Sequence, residues 1–116
     1  MDYLEHFFFY CNQVRLLWKS VESWWKNILQ VTFAIDAPTV IFGMPNTHND
    51  GLIDIMNFCI LYAKLYVHEK KMSSEHICFL EYIRFVKNKL EVEKMHCRLN
   101  NSNIFEKKWN NFYELL

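Results

Sequence analysis

The chain has 116 residues, of which 52% are hydrophobic and 17% aromatic, and its 13 basic and 13 acidic side chains leave no net charge. Such a composition argues against intrinsic disorder, and the charge balance argues against a strongly basic nucleic-acid-binding domain. The length suits one small domain over residues 1–116. With only two Gly and two Pro, the sequence favours helices joined by few tight turns.

The most distinctive pattern lies near the start of the chain, where His6 is followed by four aromatic residues and then by Cys11. A His and a Cys at this spacing can bind one metal ion from two sides of a turn. A structural zinc site needs four such ligands. Only five residues precede His6 in this sequence, so we treat His6 and Cys11 as an incomplete half site.

A first helix is predicted over residues 12–30, with Asn12 capping its free N–H groups. One face of this helix carries the apolar residues Val14, Leu17, Trp18, Val21, Trp25, Ile28 and Leu29. Trp18 and Trp25 lie on that stripe, which favours a role in the core over base stacking. Trp24 lies off its centre and is the better candidate for an exposed aromatic contact.

The helical period is lost between residues 31 and 47. Two β-prone runs, 32–35 and 39–42, are separated by Asp36 and Pro38 and closed by Gly43 and Pro45. We therefore expect a short extended or β connector near 32–45, followed by an exposed loop over 46–51.

A second helix is predicted over residues 52–71, capped by Asp50. It is apolar on nearly all sides, which is typical of a helix buried by several neighbours, so we expect it at the centre of the fold. Lys64 interrupts the apolar pattern. Its side chain either extends along the surface to solvent, which burial statistics favour, or reaches a phosphate.

A third helix is expected to start at a cap formed by Ser73 or Ser74 and to continue to about residue 98. Its apolar stripe is predicted to consist of Phe79, Tyr82, Ile83, Val86 and Leu90. Residues 100–103 are predicted to form a loop. A short fourth helix is predicted after it, with apolar residues at helical spacing: Phe105, Trp109, Phe112, Tyr113 and Leu116. The expected fold is thus mostly α, with three to four helices around a central apolar helix.

The segments 4–11 and 14–19 together resemble the C-terminal zinc-binding region of the reverse transcriptases of LINE-type (non-LTR) retrotransposons. That family has a Cys pair, then Glu-His-aromatic-Phe-x-x-Cys, then a helix with a Leu-Trp pair, matched here by Leu17 and Trp18. Weaker matches follow at residues 41–43, at 63–64 and at Trp109. The resemblance implies that His6 and Cys11 are zinc ligands. It also implies that the chain is a fragment of a larger protein, without the first Cys pair, the polymerase or the endonuclease.

The sequence predicts no enzyme activity for this chain. A polymerase needs adjacent Asp residues for two metal ions, and the Asp residues here stand apart. A glycine-rich phosphate loop and a His-Glu-x-x-His motif are also missing. The four Cys have no close-paired spacing, which suggests reduced thiols in an intracellular, cytoplasmic or nuclear protein. The most apolar run, 53–67, is too short and too polar for a membrane span.

Two functions from different classes are compatible with these patterns. The first is a non-catalytic retrotransposon remnant that binds RNA or DNA weakly and without sequence preference. Its phosphate contacts would come from Arg15, Lys19, Lys64, Arg84 and Lys87. The alternative is a free-standing helical module for protein interaction or homodimerisation, which the zero net charge favours; a decayed gene fragment without function is a third reading. Because a half site loses most of its metal affinity, we expect no cofactor and no stoichiometric zinc.

Overall fold

The computed structural model describes residues 3–45 and 51–99, and these residues form helices and connecting segments without a strand. The short helix α1 (Tyr3–Glu5) continues as a π-helix (His6–Tyr10), and α2 (Asn12–Ile28), α3 (Ala37–Phe42), α4 (Gly51–Met72) and α5 (Phe79–Leu99) follow. The predicted mostly α fold is confirmed. The predicted Asp50 cap, the loop at 100–103, the fourth helix at 105–116 and nearly all of the loop at 46–51 lie outside the described residues. Within these ranges, every helix is too short or too polar to cross a membrane.

Helix α2 buries one face, as its period predicts. The stripe residues Val14, Leu17, Trp18, Val21 and Trp25 are all buried. The predicted cap at Asn12 is wrong, because Cys11 leaves the π-helix in an extended conformation and takes the N-cap position itself. Asn12 is therefore the first helical residue. At the other end, Gln30 adopts a positive φ of 55°, which ends the helix in the way that an αL residue usually does.

The connector is only partly as predicted. Residues 31–36 have no regular structure, but the run 39–42, predicted to be extended, belongs to helix α3. The Asp36 carboxylate accepts a hydrogen bond from the Thr39 backbone N–H at 2.9 Å, and Pro38 lies in the first turn, where its missing N–H costs nothing. This local capping outweighs the β-propensity of Val40 and its neighbours.

Helices α4 and α5 form an antiparallel hairpin. The Tyr82 hydroxyl donates a 2.7 Å hydrogen bond to the Cys59 carbonyl, and the rings of Tyr62 and Phe85 lie 6.2 Å apart. Burial raises the pKa of Tyr82 well above its usual value, so this hydroxyl keeps its proton and acts as a donor. Tyr82, Val86 and Leu90 form the buried stripe of α5, in agreement with the predicted apolar face.

The turn between these helices corrects the predicted start of the third helix. Ser73 and Ser74 end α4 instead of capping α5, and Ser74 has a positive φ of 56°. The Glu75 N–H donates back to the Lys70 carbonyl at 2.9 Å, which is the long bond of a Schellman-type helix end. Because the chain needs these residues to close α4, α5 starts only at Phe79.

Among the side chains whose burial the structure describes, helix α4 supplies the largest number of buried ones: Met56, Cys59, Ile60, Ala63, Tyr66 and Val67. These residues lie on one side of the helix. On the opposite side, Leu61 is 50% exposed and Leu65 is 45% exposed. The prediction that neighbours bury this helix on several sides is therefore wrong for its outer face, because α2, α3 and α5 approach from the other side.

Candidate nucleic-acid interface

The His-x4-Cys segment forms the π-helix, and its carbonyls are bound by donors from three parts of the chain. The Cys11 N–H donates to the His6 carbonyl at 3.1 Å. The Lys71 ammonium donates to the Phe7 carbonyl at 2.7 Å, and the Trp18 indole donates to the Phe8 carbonyl at 2.7 Å. Lys71 also lies 4.2 Å above the Phe7 ring, in cation–π geometry. The segment is thus attached to both α2 and the end of α4.

The two predicted zinc ligands differ in their surroundings. His6 is exposed, whereas Cys11 is half-buried against the core. Of the other thiols, Cys59 is buried and Cys78 is exposed in the turn before α5. In the part of the chain that the structure describes, no three His, Cys, Asp or Glu side chains come together as metal ligands. Whether the chain binds zinc stays a prediction.

A groove runs along the outer face of α2. Its first part, of about 380 Å³, is lined by Asn12, Arg15, Leu16 and Lys19. Its second part, of about 450 Å³, is lined by Leu16, Lys19, Ser20, Ser23, Trp24, Asn27 and Phe79. Leu16 and Lys19 line both parts, so we describe them as one continuous α2 groove.

The lining of the α2 groove combines positive charge with hydrogen-bonding side chains. Arg15 and Lys19 are four residues apart, so they project from the same side of the helix. Four further positions carry hydroxyl or amide groups, and no Asp or Glu of the described residues lines either part. Leu16, 67% exposed, lines both parts beside the cations. Such a surface is suited to an extended anionic polymer.

Trp24 lies at the far end of the α2 groove and is neither fully buried nor fully exposed. It is half-buried, as expected for a residue off the apolar stripe. The rings of Phe79 and Tyr82 lie 6.0 and 6.2 Å from it in edge-to-face arrangements. These contacts fix the orientation of the indole, and only its accessible part is left to meet a ligand. Trp18 and Trp25 are buried, so their predicted role in the core is confirmed.

The remaining predicted cations do not join Arg15 and Lys19. Arg84 lines a separate groove of about 260 Å³ between α4 and α5, together with the carboxylates Glu69 and Glu81. Lys64 is half-buried, and burial lowers the pKa of its ammonium group. Lys87 is exposed on α5, and neither it nor Lys64 lines either groove. The structure therefore brings together two of the five predicted residues.

Four polar residues of the α2 groove were missed by the sequence reasoning: Asn12 as a lining residue, Ser20, Ser23 and Asn27. A signal for them was present, because their spacing places them with Arg15 and Lys19 on the side opposite the apolar stripe. The contribution of Phe79 could not be found in this way. It depends on how the start of α5 packs against α2.

The chain matches no known family model, and comparisons with curated proteins and with solved structures also find no match. The resemblance of residues 4–19 to the LINE-type motif therefore stays a prediction.

Proposed function

We propose that this chain binds single-stranded nucleic acid weakly and without sequence preference, in the α2 groove. The observation that carries this proposal is the composition of the lining. Arg15 and Lys19 lie beside four hydroxyl or amide side chains, and no carboxylate of the described residues lies among them. Cations with no acidic partner among the described lining residues are suited to phosphates, which set affinity and leave the base sequence unread.

The dimensions of the groove suit a short stretch of an extended strand. From Asn12 to Asn27 the helix rises about 22 Å. Because the two cations lie in the first half, phosphates would be held there. The hydroxyl and amide groups further along would contact sugar or phosphate oxygens, with the accessible part of Trp24 beside a base. With two phosphates neutralised, the logarithm of the binding constant should fall with a slope of about −1.4 against the logarithm of the salt concentration.

The origin of the chain belongs to the same proposal. Arg15 and Lys19 fall within the segment 14–19 that resembles the LINE-type reverse transcriptases. We infer a non-catalytic remnant of their C-terminal module, in which the helix after the His-x4-Cys segment keeps a contact to nucleic acid. In this reading His6 and Cys11 are an incomplete half site.

The proposal is tested by fluorescence anisotropy with a labelled oligouridine and an oligothymidine of the same length, at low salt. The double variant Arg15→Ala/Lys19→Ala should bind at least about tenfold more weakly than the wild type. The control is Lys26→Ala/Arg84→Ala, which removes the same net charge from exposed positions of α2 and α5 outside the groove. It should stay within about twofold of the wild type.

Equal losses in the two double variants would mean that net charge, and not the α2 groove, determines binding. Absence of binding at low salt would favour the alternative, a helical module for protein interaction or homodimerisation. Affinity that persists at high salt would contradict the phosphate contacts themselves.

A further inference from the structure

Exposed residues on the outer face of α4 follow one another at the spacing of a coiled coil. Leu61 is 50%, Leu65 45% and Met72 64% exposed, and His68 between them is also exposed. Alternating steps of four and three residues keep these side chains in one row along the helix, as the a and d positions of a heptad do. The row is about 17 Å long. We call Leu61, Leu65, His68 and Met72 the α4 seam.

Two charged side chains border the α4 seam on opposite sides. Lys64 comes directly before Leu65, and Glu69 comes directly after His68, so they occupy the g and e positions of the heptad. Neither forms an ion pair with another described residue. Lys64 is half-buried, where a charge gains more from a partner than it does in open water. The seam therefore suits a partner with a carboxylate beside Lys64 and a cation beside Glu69.

A second copy of the seam presents this charge pattern when the two α4 helices run parallel. In a parallel pair, the g position of one helix faces the e position five residues further on in the other. Lys64 of one copy then meets Glu69 of the other, and two-fold symmetry forms this contact twice. In an antiparallel pair g faces g, so Lys64 would meet Lys64 or Lys71 of the second copy. Charge complementarity therefore favours the parallel arrangement.

His68 determines the register of the parallel arrangement. When the two helices are in register, His68 faces the same residue of the second copy. A shift by one heptad would place it against Leu61, where a polar group loses its water and gains no partner. A single polar residue in an apolar seam specifies register in this way.

We propose that the chain forms a parallel homodimer through the α4 seam, in register, with Lys64 of each copy paired with Glu69 of the other. The seam is only about three turns long, so the dimer is weak, with a dissociation constant on the order of 100 µM. The α4 seam shares no residue with the α2 groove. Dimerisation and nucleic-acid binding are therefore tested separately.

The test is sedimentation equilibrium of the full chain without nucleic acid, from about 10 µM to about 1 mM, where the wild type should dimerise. Leu65→Glu should raise the dissociation constant at least about tenfold, because two-fold symmetry brings two carboxylates together in the seam. The matched control is Leu80→Glu, at an apolar position of α5 that is 68% exposed. It should stay within about twofold of the wild type.

Exchange of the two flanking charges distinguishes the parallel from the antiparallel arrangement. Lys64→Glu and Glu69→Lys alone should each weaken the dimer about three- to tenfold, because each brings like charges together twice. The double variant Lys64→Glu/Glu69→Lys has opposite charges in contact again and should return to within about twofold of the wild type. Far-UV circular dichroism of each variant reports whether the helices are intact.

The proposal is overturned if the wild type stays monomeric at about 1 mM, or if Leu65→Glu and Leu80→Glu weaken the dimer equally. It is also overturned if the double charge variant dimerises no better than the single ones, because the two copies would then not pair Lys64 with Glu69. If Leu65→Glu does not fold, the charge exchange alone decides, since it changes only the borders of the seam.

Discussion

Helices α2 and α4 supply most of the buried residues in the described part of the chain, yet they differ in what faces away from the core. On α2 the outer face is polar and carries Arg15 and Lys19, whereas on α4 it carries Leu61 and Leu65. Because one side of α2 is polar, the sequence of this helix already determines that the opposite side will be buried. Helix α4 has no such polar side, so its buried side is selected by the elements that pack on it.

The contacts that orient α4 illustrate this selection. The Asn57 side chain accepts a hydrogen bond from the Met44 N–H at 2.7 Å and donates one to the Met44 carbonyl at 2.9 Å, which links α4 to the end of α3. Gly43 makes this approach feasible, because it has a φ of 78° and a Cβ there would lie 3.2 Å from the Asn57 side-chain oxygen. Tyr82 orients α4 from the α5 side through its bond to the Cys59 carbonyl.

The largest expected effect tests whether the buried stripe of α2 contributes more to stability than its outer face. Replacing Trp18, which is 2% exposed, by Ala should lower the free energy of unfolding by about 3–5 kcal/mol, since it leaves a cavity and removes the donor to the Phe8 carbonyl. Leu16→Ala, two residues earlier on the outer face, should change it by less than about 0.5 kcal/mol. Urea denaturation measures both. Similar losses for the two variants would contradict the assignment of Trp18 to the buried stripe and of Leu16 to the outer face.

A smaller effect separates the two buried indoles of α2. The Trp18 N–H donates to the Phe8 carbonyl, whereas the Trp25 N–H has no oxygen or nitrogen acceptor in the described part of the chain and faces only the Cys59 sulfur, a weak acceptor. Trp18→Phe should therefore cost about 1–2 kcal/mol more than Trp25→Phe in the same urea assay. The prediction is wrong if Trp25→Phe is the more damaging change.

The smallest expected effect concerns the end of α4. Lys70 lies 2.9 Å from a Glu75 oxygen and 3.0 Å from a Glu81 oxygen. The hydrogen bond from Lys70, then that from Tyr66, lowers the pKa of Glu81. A carboxylate with a lowered pKa stabilises the fold above its unfolded-state pKa and loses that contribution as the pH falls through its folded-state pKa.

The melting temperature of the wild type should therefore fall more steeply between about pH 5 and pH 3 than that of Glu81→Gln. Because the pair is exposed, the difference should be small and should shrink on adding salt. Glu69→Gln, a neighbouring carboxylate outside the ion pairs, serves as the control and should follow the wild type. Parallel curves for all three proteins would show that the ion pair does not contribute.

The helical period of the apolar residues was sufficient to predict the long helices and the buried stripes of α2 and α5. Their apolar residues recur with the helical period and their polar residues fill the opposite side, so propensity and pattern agree. It also indicated that Arg15 and Lys19 share one side of α2. The same reasoning placed Trp18 and Trp25 in the core, since both lie on the stripe.

Other features were decided only when the elements packed together. Helix α3 depends on the Asp36 cap, because its β-prone run could also adopt an extended conformation. The start of α5 depends on how Ser74 closes α4, because a serine-containing run can end one helix or cap the next. The donors to the Phe7 and Phe8 carbonyls come from Lys71 and Trp18, far from these residues in sequence. Which side of α4 is buried was decided by Tyr82 and Asn57, because a helix that is apolar on nearly all sides has no preferred face until its neighbours approach.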